Sequence, residues 1–320
     1  MQRILIIQTA FLGDVILATP VVSELHRLYP DAKIDFLVKK GNESLLSNNP
    51  KLNQVYVFDK SKKKLRNMRS LWKQFRSNQY DLCVNLHRFG SSGIIAKKAR
   101  AKELIGFDSA SSARHYDRKV EHAIGNGKHE VERNLSTISH LGANPLVRPE
   151  LFPSDDDFRK VQSLKTDQYY CLAPASVWFT KQFPEDRWQE IIDQLDGTIY
   201  LLGGPDDKAL CNRIASSSSK DIVVLAGELS LMQSTALMKD AKRNYVNDSG
   251  PLHLASSQNA PVTALFCSTV PSFGFGPLSE DSQILEVSTL ECRPCGLHGH
   301  KSCPKGHFDC SKFSLTELKS

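Results

Sequence analysis

Three short segments of this chain gather residue types that could do chemistry. The first, Thr9-Ala10-Phe11-Leu12-Gly13-Asp14, lies between an apolar run and a helical pattern. It delivers one carboxylate to a strand-to-helix turn. A carboxylate in the first turn of a helix is favoured in its ionised form by the positive end of the dipole. An ionised carboxylate can take the proton of an attacking hydroxyl. The position suits Asp14 equally as a plain helix cap. The turn lacks the G-x-G-x-x-G spacing of dinucleotide sites, which argues against a nicotinamide cofactor.

The second segment is Ala175-Ser176-Val177-Trp178-Phe179-Thr180-Lys181, followed by Gln182-Phe183-Pro184. Hydroxyls, backbone N–H groups and an ammonium just before a helix start suit a pyrophosphate. Lys181 could neutralise charge on a departing diphosphate, or be a surface lysine beside an ordinary loop. The third is Asn247-Asp248-Ser249-Gly250-Pro251-Leu252-His253-Leu254-Ala255. There a polar turn opens directly into a helix. Ser249 and Gly250 can offer backbone donors, glycine allowing close approach. His253 follows one turn later; a lone histidine there would more often be packed core, but its place beside Asp-Ser-Gly points it to the same site.

Two clusters lie outside these segments. Lys60, Lys62, Lys63, Lys64, Arg66, Arg69, Lys73 and Arg76 crowd one stretch in which Leu65, Met68, Trp72 and Phe75 recur at helical spacing. Such a basic amphipathic helix suits anionic lipid or a phosphorylated ligand, or is simply a solvated face. Cys292-x-x-Cys295, Cys303 and Cys310 fall close together near His298, His300 and His307. They could hold a structural zinc, or be reduced thiols in a compact loop. Cys83, Cys171, Cys211 and Cys267 sit on apolar patterns and read as core.

The elements that must position these residues alternate. Strands are predicted at Ile4 to Ile7, Lys33 to Val38, Val55 to Phe58, Leu82 to Leu86 and Glu103 to Gly106, with a helix from Asp14 to Leu28. The pattern weakens through Pro145, Pro149 and Pro153. It restarts at Tyr169 to Ala173 and continues through Ile199 to Leu202, Ile222 to Leu225, Asn244 to Val246 and Val262 to Phe266, with helices at Leu231 to Asp240 and from Gly250. Alternation of this kind implies parallel sheets with right-handed crossovers. The chain is 320 residues, enough for two α/β domains, here 1–155 and 156–320. In doubly wound folds the ligand lies beyond the carboxyl ends of the strands, here expected in the cleft between the halves.

Composition adds exclusions. Apolar residues are 40% and charged residues 24%, with a formal net charge of +6, as for a soluble globular protein. No stretch of about 18 apolar residues suggests a membrane span, and the N-terminus lacks a signal-peptide pattern, so the protein reads as cytoplasmic. No nucleic-acid motif accompanies the basic stretch.

Taken in order and spacing, four of these features resemble glycosyltransferase family 9, the ADP-heptose:lipopolysaccharide heptosyltransferases. They are Gly13-Asp14 with Ala18-Thr19-Pro20, Lys181-x-Phe-Pro-x-x-x-Trp, Leu202-Gly203-Gly204, and Asp248-Ser249-Gly250-Pro251-Leu252-His253-Leu254-Ala255. The resemblance implies a GT-B fold of two Rossmann-like domains, the first binding acceptor and the second an ADP-sugar. It implies inversion at the anomeric carbon with no metal required. By matching positions, Asp14 is the general base and Lys181 holds the donor phosphates. Ser176, Val177, Asp248, Ser249, Gly250 and His253 line the donor, and Asp206 or Asp207 approaches its ribose. Many relatives carry Thr where this chain has Val177. Arg88, Lys63, Lys64 and Arg66 would meet a phosphorylated, lipid-anchored saccharide, with peripheral contact at the inner membrane. A sugar-nucleotide epimerase of the same fold and a non-catalytic nucleotide-sugar-binding protein are the rival readings.

Overall fold

The computed structural model describes residues 1–316, 318 and 319. It divides into two units: Met1–Ile124 with Lys128–Phe152, and Gly125–Gly127 with Pro153–Ser320.

The first unit runs β1 (Arg3–Gln8), α1 (Leu12–Ile16), α2 (Thr19–Leu28), β2 (Lys33–Lys39), β3 (Gln54–Phe58), α3 (Lys64–Asn78), β4 (Leu82–Asn85), α4 (Gly90–Ala99), β5 (Glu103–Phe107), β6 (Arg118–Val120) and α5 (Glu130–Ser136). Its six strands form one parallel sheet in the order β3-β2-β1-β4-β5-β6. Ile4, Leu5, Ile6 and Ile7 are all fully buried, because a central strand covered on both faces must be apolar without alternation. The short, charged β6 lies at the sheet edge and gave no apolar signal in the sequence.

The expected helix from Asp14 to Leu28 is broken in two, for a local reason. Pro20 has no N–H to give the carbonyl four residues back. The Thr19 hydroxyl donates to that carbonyl, Ile16 O, at 2.7 Å. A new helix then starts with proline in its first turn.

The second unit runs α6 (Asp155–Val161), β7 (Tyr169–Ala173), α7 (Glu185–Ile192), β8 (Thr198–Leu201), α8 (Lys208–Ser216), β9 (Ile222–Val224), α9 (Leu231–Lys239), β10 (Arg243–Asn247), α10 (Gly250–Ser257), β11 (Val262–Phe266) and β12 (Ser282–Glu286). Its parallel sheet has the order β12-β11-β10-β7-β8-β9. Trp188, fully buried on α7, anchors the core, its indole donating to Phe183 O at 3.2 Å. The chain end adds Cys310, Phe313 and Leu315 to this core, with Phe313 stacked on Phe183 at 5.1 Å. Cys83, Cys171, Cys211 and Cys267 are buried, as expected. No helix among the described residues is long and apolar enough to cross a membrane.

Candidate active site

Each sheet has one point where the winding reverses, and in doubly wound folds ligands sit beyond the carboxyl ends of the strands there. In the first unit that point lies between β1 and β4. The loop after β1 carries Thr9 to Asp14, and the loop after β4 carries His87, Arg88 and Phe89. Thr9 Oγ1 and His87 Nδ1 meet at 2.9 Å, both residues buried, and tie the two loops together. Lys60 fastens the start of the basic segment to the same floor, its Nζ donating to Thr9 O at 2.7 Å. Burial, with the Lys60 and Arg88 charges, pushes His87 down to about 4, so it is neutral at physiological pH.

Asp14 is the third residue of α1, and its Oδ2 accepts the Phe11 N–H at 3.1 Å. It does cap its helix, from inside the first turn. Its proton affinity departs from the expectation of a dipole-favoured anion. A helix of five residues offers little dipole. Burial raises the carboxyl most, and the Glu130 carboxylate raises it further. The Phe11 N–H and the Arg88 guanidinium pull it back, leaving a rise from 3.8 to about 6. At pH 7 about nine in ten such groups remain ionised. Such a carboxylate can still accept a proton, and it is a stronger acceptor than an ordinary aspartate. Arg88 is half-buried and acts on Asp14; Lys63, Lys64 and Arg66 stand in solvent around the start of α3.

In the second unit the reversal lies between β7 and β10, and the other two motifs follow these strands. Lys181 Nζ lies 2.7 Å from Asp248 Oδ2, with both side chains largely buried. Thr269 Oγ1 donates to the same oxygen at 2.5 Å. Ser249 caps α10 in extended conformation, and Gly250 and Pro251 open it. His253 is buried at 5% exposure one turn on. Ser176 is half-buried, its carbonyl accepting from Gln182 Nε2 at 2.6 Å, and Val177 is 86% exposed. After β8, Asp207 turns inward to accept the Gly204 N–H at 2.8 Å, while Asp206 is exposed.

Two contributors were named in the sequence without the role they play here. Asn247, fully buried, accepts from Phe183 N at 3.0 Å and donates to Pro174 O at 2.7 Å. It thereby holds both ends of the loop that carries Ser176 to Lys181. The Cys-rich tail braces the same loop. Thr180 N donates to His300 O at 3.1 Å, and His300 N to Thr180 Oγ1 at 2.7 Å. Gly299 has φ +78°, and a Cβ there would lie 2.7 Å from Thr180 Oγ1 and 3.2 Å from Lys181 Cγ. Close approach together with a positive φ accounts for the glycine at 299.

The structural zinc expected at Cys292, Cys295, Cys303 and Cys310 is not supported. Among the described residues no group of three or more His, Cys, Asp or Glu side chains is arranged to hold a metal ion. Cys310 is turned into the core. Cys295 Sγ donates to Cys292 O at 3.3 Å, and Cys292 Sγ faces His307 Nε2 at 3.9 Å.

Comparison with known proteins matches this arrangement. The model of glycosyltransferase family 9 (heptosyltransferase) matches residues 68–305. Lipopolysaccharide heptosyltransferase 3 of Escherichia coli is 31% identical over 277 residues, 81% of this chain and 82% of that protein. The structure of E. coli ADP-heptose lps heptosyltransferase II superposes with a TM-score of 0.77 at 23% identity, covering 91% of this chain and 92% of that one. That of E. coli heptosyltransferase WaaC with ADP-2-deoxy-2-fluoro heptose gives 0.72 at 21%, covering 88% and 92%. The two doubly wound units are those of the GT-B fold. With the family model spanning most of its length and a relative above 30% identity, this chain belongs to glycosyltransferase family 9, the heptosyltransferases.

Proposed function

We propose that this protein transfers heptose from ADP-heptose to the inner core of lipopolysaccharide, inverting the anomeric carbon. The observation that carries the reading is Asp14: a carboxylate at the reversal point of the first sheet, raised to about 6 by burial and by Glu130. A general base works best when its pKa approaches the working pH. In the transition state positive charge builds on the sugar ring and negative charge on the departing diphosphate. Asp14 takes the acceptor's proton. Lys181, with the N–H groups at the start of α10, receives the diphosphate charge. Asp248 holds Lys181 at 2.7 Å before the donor arrives. Ser176, Val177, Asp206, Ser249, Gly250 and His253 complete the donor side.

The acceptor side is Arg88 with Lys63, Lys64 and Arg66. Leu65, 69% exposed among these cations, pairs an apolar contact with a basic cluster. That combination suits a phosphorylated, lipid-anchored saccharide at the anionic cytoplasmic leaflet. In this reading the protein works in the cytoplasm, peripheral on the inner membrane.

The test is incubation with ADP-heptose and lipopolysaccharide acceptors truncated at successive core positions, followed by mass spectrometry. One acceptor should gain the mass of a single heptose, with inverted linkage by NMR. Consumption of ADP-heptose without any acceptor gaining mass, or transfer only from another sugar nucleotide, would overturn the donor and acceptor assignment.

A further inference from the structure

Two loops of the second unit meet on one carboxylate oxygen. Asp248 Oδ2 takes the Lys181 ammonium at 2.7 Å, from the loop after β7, and the Thr269 hydroxyl at 2.5 Å, from the loop after β11. A carboxylate oxygen has two lone pairs and accepts both donors. Thr269 is 2% exposed and Asp248 5%, so water does little for either group.

The hydroxyl is placed independently of the lysine. Arg293, whose side chain is 3% exposed, donates through Nη2 to Thr269 O at 2.5 Å and through Nη1 to Val287 O at 2.6 Å, and pairs with Glu286 Oε2 at 2.6 Å. Cys295 N donates to Ser268 O at 2.8 Å. The tail thus fastens the backbone that carries Thr269. The backbone before Lys181 is fastened too: Thr180 O accepts from Ser268 N at 3.2 Å, and Thr180 N donates to His300 O at 3.1 Å. What remains movable is the Lys181 side chain, an ammonium on a flexible four-carbon stem.

The shared oxygen sets two demands against each other. While Asp248 neutralises Lys181, the ammonium has little charge to offer a diphosphate. When Lys181 leaves, a carboxylate withdrawn from water loses its partner, and an unpaired buried charge is strongly unfavourable. A hydroxyl that stays on the carboxylate removes much of that penalty, since hydrogen bonds to ionised groups are the strong ones. We propose that Thr269 is a positioning residue for donor binding: fixed by the tail, its hydroxyl stays on Asp248 while the Lys181 ammonium passes from that carboxylate to the diphosphate. No covalent bond of Thr269 changes. The inference rests on the reading of Lys181 as the partner of the diphosphate, so Lys181 is varied alongside it.

The full-length protein is titrated with ADP by calorimetry, which needs neither acceptor nor turnover. Thr269→Val keeps the shape and removes the hydroxyl. ADP binding should weaken about 5- to 50-fold and the donor KM should rise in step, with the acceptor KM within about twofold. Thr269→Ser, which keeps the hydroxyl, should bind ADP within about threefold of wild type. In the Asp248→Asn background the buried charge is gone, and adding Thr269→Val should cost less than about threefold more. If Thr269→Val does not fold, Thr269→Ala is read in its place. ADP binding weakened by Lys181→Met but unmoved by Thr269→Val, or an undiminished Thr269→Val effect in the Asp248→Asn background, overturns the proposal and leaves the donor-site reading standing. ADP binding unmoved by Lys181→Met, or absent in the wild type, overturns both. Binding weakened by each substitution in a protein that transfers no heptose supports the proposal and sinks the heptosyl reading instead.

Discussion

Asp14 is held in a state that costs the fold something. Its pKa in the folded protein, about 6, lies above the ordinary 3.8. The stabilisation linked to its protonated form is fully present below about 3.8 and is lost as pH rises through about 6; above that, the half-buried charge opposes folding. Replacing Asp14 by Asn should therefore lower kcat by about 10²- to 10⁴-fold, while leaving stability at pH 7.5 unchanged or raised by up to about 2 kcal/mol. Kinetics and urea melts on the same preparation check this. Activity lost in proportion to a lowered melting midpoint would point to a merely structural aspartate. In wild type, kcat/KM should rise with pH through an apparent pKa near 6. Among the cysteines, burial works against the Cys303 thiolate, yet the backbone N–H groups of residues 305–308 outweigh it and lower its pKa, whereas Cys295, Cys310 and Cys267 are raised by burial. Brief iodoacetamide treatment with peptide mapping should modify Cys303 faster than these three.

Elements position the proposed reacting groups through a few buried polar residues. Asn247 joins β10 to both ends of the loop carrying Lys181, with no exposure to water. Asn247→Leu leaves the Phe183 N–H and Pro174 carbonyl without partners, at about 1–3 kcal/mol each. Its urea midpoint should fall, and the donor KM should rise several-fold more than the acceptor KM. A uniform loss for both substrates would show that the loop is held by other contacts. Thr19 does comparable work in the first unit. Its hydroxyl donates to Ile16 O and accepts from Glu150 N at 3.0 Å. Thr19→Val should lower the urea midpoint with an unchanged m value, a loss of about 1–3 kcal/mol.

At the scale of the molecule, each unit has its own sheet and its own core. The proposed donor site lies wholly in the second. ADP binding should therefore slow amide exchange in residues 174–183 and 248–257 and leave exchange after β1 and β4 unchanged; hydrogen exchange with and without saturating ADP measures it. Protection confined to the first unit would reverse the assignment of donor and acceptor sides.

The order of strands and helices was legible because central parallel strands are continuous apolar runs. Ile4 to Ile7, Tyr169 to Ala173 and Val262 to Phe266 carry that pattern in single-residue detail. Of the four edge strands, β3 and β9 were legible as Val55 to Phe58 and Ile222 to Leu225, and β6 and β12 were not. β6 and β12 keep partly exposed side chains and need no apolar pattern. α5 is a short helix that draws its burial from partners distant in sequence. The motifs themselves showed where a carboxylate, an ammonium and a helix N-terminus would stand, since each follows directly from local residue order. Tertiary structure alone decided their surroundings. It let the Glu130 charge, 116 positions away in the chain, act on the Asp14 carboxyl, and laid the tail around His300 on Thr180. It also turned Cys310 into a core rather than toward the other thiols. Electrostatics and metal geometry depend on distances between remote residues, and only the folded chain sets those distances.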